Sequence, residues 1–183
     1  MQLLVILALL FGPSAAVGSL ESCHRKFTQI ESGRARGAVV TVSGSEIDAF
    51  VAEQAALQGK GAIRNTHVDL WQDHGRVIAR VDIVSLAELR GRPLNWFFAA
   101  MFAGQRQVIA TTKLLSVQGQ ARVDLEKLEV EGHVLDGRPL QFLIDEFVLP
   151  EYPDARVSQW FPLGFGIRTI HLSAGQVAID CRR

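Results

Sequence analysis

Four side chains of the types that bind metal ions lie close together in the sequence: His67, Asp69, Asp73 and His74. Histidine nitrogens and carboxylate oxygens are the usual ligands of catalytic zinc. His67 and Asp69 are two residues apart, so a β-strand would place both on the same face. That face is the one predicted to meet solvent, and polar residues are also expected at the following turn. The pattern favours a polar turn over a metal site, and a hydrolase or metalloenzyme remains the less favoured alternative.

Other patterns that would indicate catalysis are missing from the sequence. No serine lies in a Gly-x-Ser-x-Gly turn, and no glycine-rich loop is arranged to bind phosphate or a dinucleotide. Asp145 and Glu146 are adjacent, so on a helix their carboxylates would point in different directions. The sequence therefore predicts no catalytic residue, no bound metal and no cofactor, and it indicates a protein that is not an enzyme.

The two cysteines, Cys23 and Cys181, lie near opposite ends of the chain. In an oxidising compartment an even pair of cysteines favours a disulfide. Such a bond would close most of the chain into one loop and stabilise the fold by roughly 3–5 kcal/mol. The alternative is that Cys23 is a lipoprotein attachment site, because Leu20 lies three residues before it.

Aromatic side chains are concentrated in three segments, around residues 96–102, 142–149 and 160–165. The first segment is apolar on all sides, and such a helix must either be buried or contact an apolar partner. One interpretation is ordinary core packing, and the other is that these segments line a groove for an apolar ligand. The candidate ligand-binding residues, each of which is equally a candidate for the core, are Phe50, Trp96, Phe97, Phe102, Phe142, Phe147 and Trp160.

The segments that would position these side chains are strands and helices in alternation. Residues 37–43 form a β-branched run that predicts a strand. Ser43 or Ser45 then caps a helix that ends at about Gln58, before the glycines of the Gly59-Lys60-Gly61 stretch. Residues 67–83 show period-two alternation around a glycine-containing turn, which predicts a hairpin.

Two further hairpins are predicted, over residues 108–130 and 167–181. In the first of these the alternation slips near Glu126 and Lys127, which indicates a β-bulge. Gly-Arg-Pro-Leu occurs at residues 91–94 and again at 137–140, each time before an apolar segment, so a repeated β-β-α unit is plausible. We therefore expect an α+β fold: a curved antiparallel sheet built from successive hairpins, with two or three helices packed on one face.

The N-terminus predicts export. An apolar run from Leu3 to Phe11 is followed by Gly12-Pro13 and by three small residues, as in a signal peptide. The alternative is a buried N-terminal helix. We expect a signal peptide over 1–16, an N-terminal extension over 17–36 and a single domain over 37–183, in a periplasmic or secreted protein. The chain has 19 basic and 19 acidic residues, and this balance argues against nucleic acid as a partner.

The order of elements, the Ser45-Glu-Ile-Asp-Ala-Phe50 helix and the C-terminal stretch 160–179 together resemble bacterial exported domains related to tubular lipid-binding (TULIP-like) proteins. The resemblance covers about residues 37–180. It implies a strongly curved sheet around a long helix, an apolar groove for acyl chains, and no catalytic residues.

These observations favour a non-catalytic exported protein that binds or carries a lipid or another apolar ligand. The alternative is an envelope scaffolding or protein-interaction module that uses the aromatic segment 95–103 as a docking patch. Peripheral contact with a membrane or an envelope protein is compatible with both. The sequence leaves the oligomeric state open.

Overall fold

The computed structural model describes residues 17–137, 140–141, 144 and 158–182. The described helices are α1 (Val17–Glu31), α2 (Gly44–Gly59), α3 (Ile83–Leu89) and α4 (Trp96–Met101). The described strands are β1 (Val39–Ser43), β2 (Ile63–Trp71), β3 (His74–Asp82), β4 (Gln105–Val117), β5 (Gln120–Val130), β6 (His133–Val134), β7 (Phe161–Pro162), β8 (Thr169–Ser173) and β9 (Gln176–Asp180).

The strands form two antiparallel sheets. In the larger sheet the order is β2-β3-β4-β5-β6, and β7 also pairs with β5. The smaller sheet has the order β1-β9-β8. The larger sheet is open. The presence of helices beside an antiparallel sheet confirms the predicted α+β class and the construction from successive hairpins. The third predicted hairpin, β8–β9, is separate from the first two because it pairs with β1 instead.

The predicted β-bulge lies where the alternation slips. Thr111 of β4 pairs with Lys127, whereas the next residue, Thr112, pairs with Leu125. Glu126 is therefore the extra residue on β5. The bulge keeps both Leu125 and Leu128 on the core side of the sheet, where both pack against the main cluster.

Helix α2 begins with a capping box. The side chain of Ser43 accepts a hydrogen bond from Glu46 N, and the Glu46 carboxylate accepts one from Ser43 N at 2.7 Å. At the other end a Cβ on Gly59 would lie 2.9 Å from Ile63 Cγ1, so only glycine fits where the helix meets β2. The left-handed C-cap is Lys60 (φ 42°) rather than a glycine, which differs from the sequence expectation.

Residues 17–31, expected to belong to an extension, form helix α1 and pack against α2. Cys23, Phe27 and Ile30 of α1 are buried in the main core. Lys26 Nζ lies 2.7 Å from Glu46 Oε2, so a buried carboxylate joins the two helices. The predicted signal peptide, residues 1–16, lies outside the described residues, and the domain boundaries stay a prediction.

Helix α3 was not anticipated from the sequence. It begins at Ile83, which the alternation had placed at the end of a strand, and its N-cap is Asp82, whose carboxylate accepts a hydrogen bond from Ser85 N. The Gly-Arg-Pro-Leu stretch at residues 91–94 therefore follows a helix, and Pro93 lies before α4 rather than in its first turn. Part of the second copy lies outside the described residues.

The same face of the larger sheet packs against buried side chains of α2, of α3 and of Phe102. Ile47 and Val51 of α2 share a cluster with Val68 and Val77, and Leu86 of α3 packs with Ala79. Helices α2 and α3 therefore lie on one face of the larger sheet, and α1 packs against α2. None of the helices in the described part of the chain is long and apolar enough to cross a membrane.

Candidate functional site

The aromatic segment forms α4, a helix of six residues. The side-chain oxygen of Asn95 accepts hydrogen bonds from Phe97 N and Phe98 N, both at 3.1 Å. These bonds satisfy two backbone donors that have no partner within the helix, so the first turn is fixed from its N-cap. None of the six helical residues is buried, although all six are apolar.

Four aromatic rings form a continuous row from the core to the solvent. The ring of Phe98 is stacked on that of Phe102, and Phe98 and Phe97 meet edge to face with centroids 5.5 Å apart. Phe97 in turn meets Trp96 edge to face at 6.1 Å. Phe102 is 2 % exposed and Trp96 is 83 % exposed. The exposed rings of Trp96 and Phe97 are therefore connected to the buried ring of Phe102 through Phe98.

Phe102 anchors this row beneath α4. It forms a buried cluster with Ile83 of α3. Partly buried side chains from the sheet, from α4 and from the segments next to them pack around this cluster: Val81, Leu94, Phe98, Val108, Leu128 and Leu135. Because the cluster includes residues of α3, β3, β4 and β5, it attaches α4 to the end of the larger sheet where β4 begins.

Three large side chains of α4 are exposed: Trp96 at 83 %, Phe97 at 56 %, and Met101. We call them the α4 surface. Single exposed apolar residues are common on proteins, whereas adjacent exposed aromatic residues on one short helix make this surface the candidate contact site. The exposed Leu89, at the end of α3, precedes this helix by a short loop. The sequence had identified Trp96 and Phe97 as candidates but had not separated them from buried Phe102.

Arg106 lies on the core side of the sheet at the same end. It pairs with Val81, and Val108 is two residues further along β4, so all three side chains extend from one face. Val81 and Val108 both pack against the Phe102 cluster. The Nε atom of Arg106 is buried and has no hydrogen-bond partner. The sequence analysis had not singled out Arg106, because its exceptional feature is a missing partner, which the sequence does not reveal.

Two other candidate ligand residues that the structure describes, Phe50 and Trp160, do not lie at α4. Phe50 is 7 % exposed and packs edge to face against Phe27 and His24 in the main core. The ring of Phe50 is covered by other side chains of the same protein, which favours the core interpretation for this residue. Phe142 and Phe147 lie outside the described residues.

Trp160 is exposed at the opposite end of the larger sheet. It precedes β7, whose Phe161 pairs with Ala121 of β5. Leu128 of β5, which contacts the Phe102 cluster, is seven residues further along that strand. At a rise of about 3.4 Å per residue, roughly 24 Å separate the two ends. Trp160 and Trp96 therefore belong to different surfaces.

An open cleft of about 500 Å³ lies beside α3. Its lining includes the charged residues Lys60, Arg64, Asp82 and Glu88, and no aromatic side chain in the described part of the chain contributes to it. None of the five candidate ligand residues that the structure describes lines it. This cleft does not have the character of an apolar groove.

The histidine and aspartate side chains singled out in the sequence do not converge on one point. His67 lies between Asp48 and Asp69, at 3.4 and 3.3 Å, while Asp69 also binds Arg76 at 2.7 Å. His74 Nδ1 is 2.6 Å from the carbonyl oxygen of Gln72. Within the described ranges, no group of three or more His, Cys, Asp or Glu residues is arranged to hold a metal ion.

Cys23 and Cys181 are free thiols buried in the same core cluster. Burial, together with the nearby Glu46 carboxylate, raises the pKa of the Cys23 thiol to about 12. Burial also raises the pKa of Cys181. Both thiols are therefore protonated at neutral pH and poor nucleophiles while the protein is folded.

No protein-family model, curated protein or solved structure matches this chain.

Proposed function

We propose that this chain is a non-catalytic exported protein that binds lipid, and that it contacts the lipid through the α4 surface. The observation that carries the proposal is the exposure of Trp96, 83 %, beside that of Phe97, 56 %, on a helix with no buried residue. Burying an aromatic side chain removes roughly 150–250 Å² from water, at about 25 cal/mol per Å². Two such rings supply a substantial part of a binding free energy.

The helix that carries the exposed rings is attached to the core. Asn95 caps the helix and Phe98 is stacked on buried Phe102, so the backbone beneath the exposed rings does not have to be ordered on binding. Preorganisation of this kind raises affinity because the conformational entropy cost of association falls.

The chemistry of α4 suits a lipid. Tryptophan is enriched at membrane–water interfaces, where its ring lies at the level of the headgroups, and phenylalanine and methionine contact acyl chains well. The unpartnered arginine at the same end of the sheet adds a polar group that a purely apolar docking patch does not need. Docking of an envelope protein on the same helix is the alternative, and the experiment below separates the two.

The test is native mass spectrometry with lipid extraction on protein purified from a periplasmic or secreted fraction. We expect a lipid adduct that is lost on denaturation and weakened in Trp96→Ser. Trp160→Ser is the matched control, because Trp160 is also exposed but lies at the other end of the sheet. A folded protein that carries no lipid and takes up none when lipid is added would contradict the proposal and favour protein docking.

A further inference from the structure

Arg106 is the one described arginine side chain that buries an Nε atom without giving it a hydrogen-bond acceptor. Unsatisfied buried donors are uncommon because the lost hydration is not repaid. Arg106 as a whole is only half-buried, so an anion that reaches its guanidinium would supply the acceptor that the side chain lacks, with a gain in free energy. The guanidinium has the fork geometry that carboxylates and phosphates match.

The position of Arg106 connects it to the α4 surface. Its partner across the ladder, Val81, and its neighbour along the strand, Val108, both touch the cluster that contains Phe98 and Phe102. Directly opposed residues on neighbouring strands have Cβ atoms about 5 Å apart. The guanidinium therefore belongs to the same end of the sheet, and the same face, as the aromatic row.

From this juxtaposition we propose that the lipid bound at the α4 surface is anionic, and that Arg106 recognises the acid group of its headgroup. The inference rests on the proposed function and adds the class of lipid. Acyl chains contact Trp96, Phe97 and Met101, while the headgroup phosphate accepts hydrogen bonds from the guanidinium. A lipid without net charge would bury the same apolar surface. The phosphate of its headgroup is accompanied by a cation of the same molecule, so it would be a weaker partner for the guanidinium.

Co-sedimentation with vesicles tests this on the full chain. One set of vesicles contains phosphatidylcholine alone, and the other contains phosphatidylcholine mixed with phosphatidylglycerol. We expect the wild type to bind the mixed vesicles about fivefold more tightly, the ratio that corresponds to one basic residue near an anionic surface. Arg106→Gln should bring this ratio close to one, and Arg106→Lys should retain part of it.

The matched control is Arg25→Gln, which removes the same charge from an exposed position on α1. It should keep the preference for mixed vesicles. Equal binding of both vesicles by the wild type, or an unchanged ratio in folded Arg106→Gln, would overturn the inference while lipid binding itself stands. Absence of binding to either vesicle would overturn both proposals. If Arg106→Gln does not fold, Arg106→Lys decides, since the preference must then fall below that of the wild type.

Discussion

The ring of Phe98 lies parallel to that of Phe102, with centroids 6.3 Å apart and an angle of 6° between the planes. One of these two residues is buried and the other belongs to the exposed helix. The pair is therefore the point at which a helix without a buried residue is attached to the core. This attachment separates the residues that stabilise the site from those that are free to make contacts.

Replacing the buried ring should cost far more stability than replacing an exposed one. We expect Phe102→Ala to lower the free energy of unfolding by about 3–5 kcal/mol, because it leaves a cavity beneath α4. Trp96→Ala should change it by less than about 0.5 kcal/mol, as is usual for exposed positions. Urea unfolding followed by far-ultraviolet circular dichroism measures both. Equal losses for the two variants would show that Trp96 is a structural residue.

Glu46 should make the free energy of unfolding depend on pH in the acidic range. Burial raises the pKa of this carboxyl. Hydrogen bonds from Lys26, from Ser22 and from the backbone of Ser43 lower it by more, so the pKa falls to about 2. Because the folded pKa lies below the ordinary value of 4.5, the ionised carboxylate stabilises the fold at neutral pH. That stabilisation should be lost as the pH falls from about 4.5 to about 2.

Glu46→Gln isolates this contribution. At neutral pH we expect it to lower the free energy of unfolding by roughly 1–3 kcal/mol, since Lys26 and the α2 cap lose a charged partner. The difference from the wild type should narrow as the pH approaches 2. Glu21→Gln is a suitable control, because Glu21 is exposed on the same helix as Lys26. A constant difference across the pH range would contradict the assignment.

The cysteines allow a direct test of the predicted disulfide. Protein purified from an oxidising compartment and unfolded without reductant should take up no alkylating label, and two labels after reduction. Two labels before reduction would show that Cys23 and Cys181 remain thiols. For reduced protein, the raised pKa of both thiols predicts that the folded chain resists alkylation at neutral pH and that the unfolded chain does not.

Local rules predicted most of the hairpins and α2. The bulge at Glu126 follows from a slip in the alternation, because each strand must keep its apolar residues on the core side. The sequence left the cap of α2 open between Ser43 and Ser45, and the structure assigns it to Ser43, which forms a capping box with Glu46. Helix α3 was missed because Ile83 continues the strand's alternation, and only the Asp82 cap marks the change.

Burial at the candidate site could be predicted only in part. Phe102 and Trp96 are both large and apolar, and six residues of sequence separate a ring that is 2 % exposed from one that is 83 % exposed. What distinguishes them is the arrival of Val81, Val108 and Leu128 from three different strands. Such long-range packing cannot be predicted from the local sequence. The lack of a hydrogen-bond partner for Arg106 Nε cannot be predicted from it either.

The central claim, that lipid contacts Trp96, can be measured by fluorescence quenching with brominated acyl chains. The chain has three tryptophans, Trp71, Trp96 and Trp160. Trp71→Phe combined with Trp160→Phe leaves Trp96 as the only one, and Trp96→Phe combined with Trp160→Phe leaves Trp71, which is stacked on His74 on the opposite face of the sheet. Vesicles of phosphatidylcholine and phosphatidylglycerol, with and without bromine on the acyl chains, are then added to each variant. We predict that brominated vesicles quench Trp96 and leave Trp71 unchanged. Equal emission of Trp96 in brominated and ordinary vesicles would contradict the account.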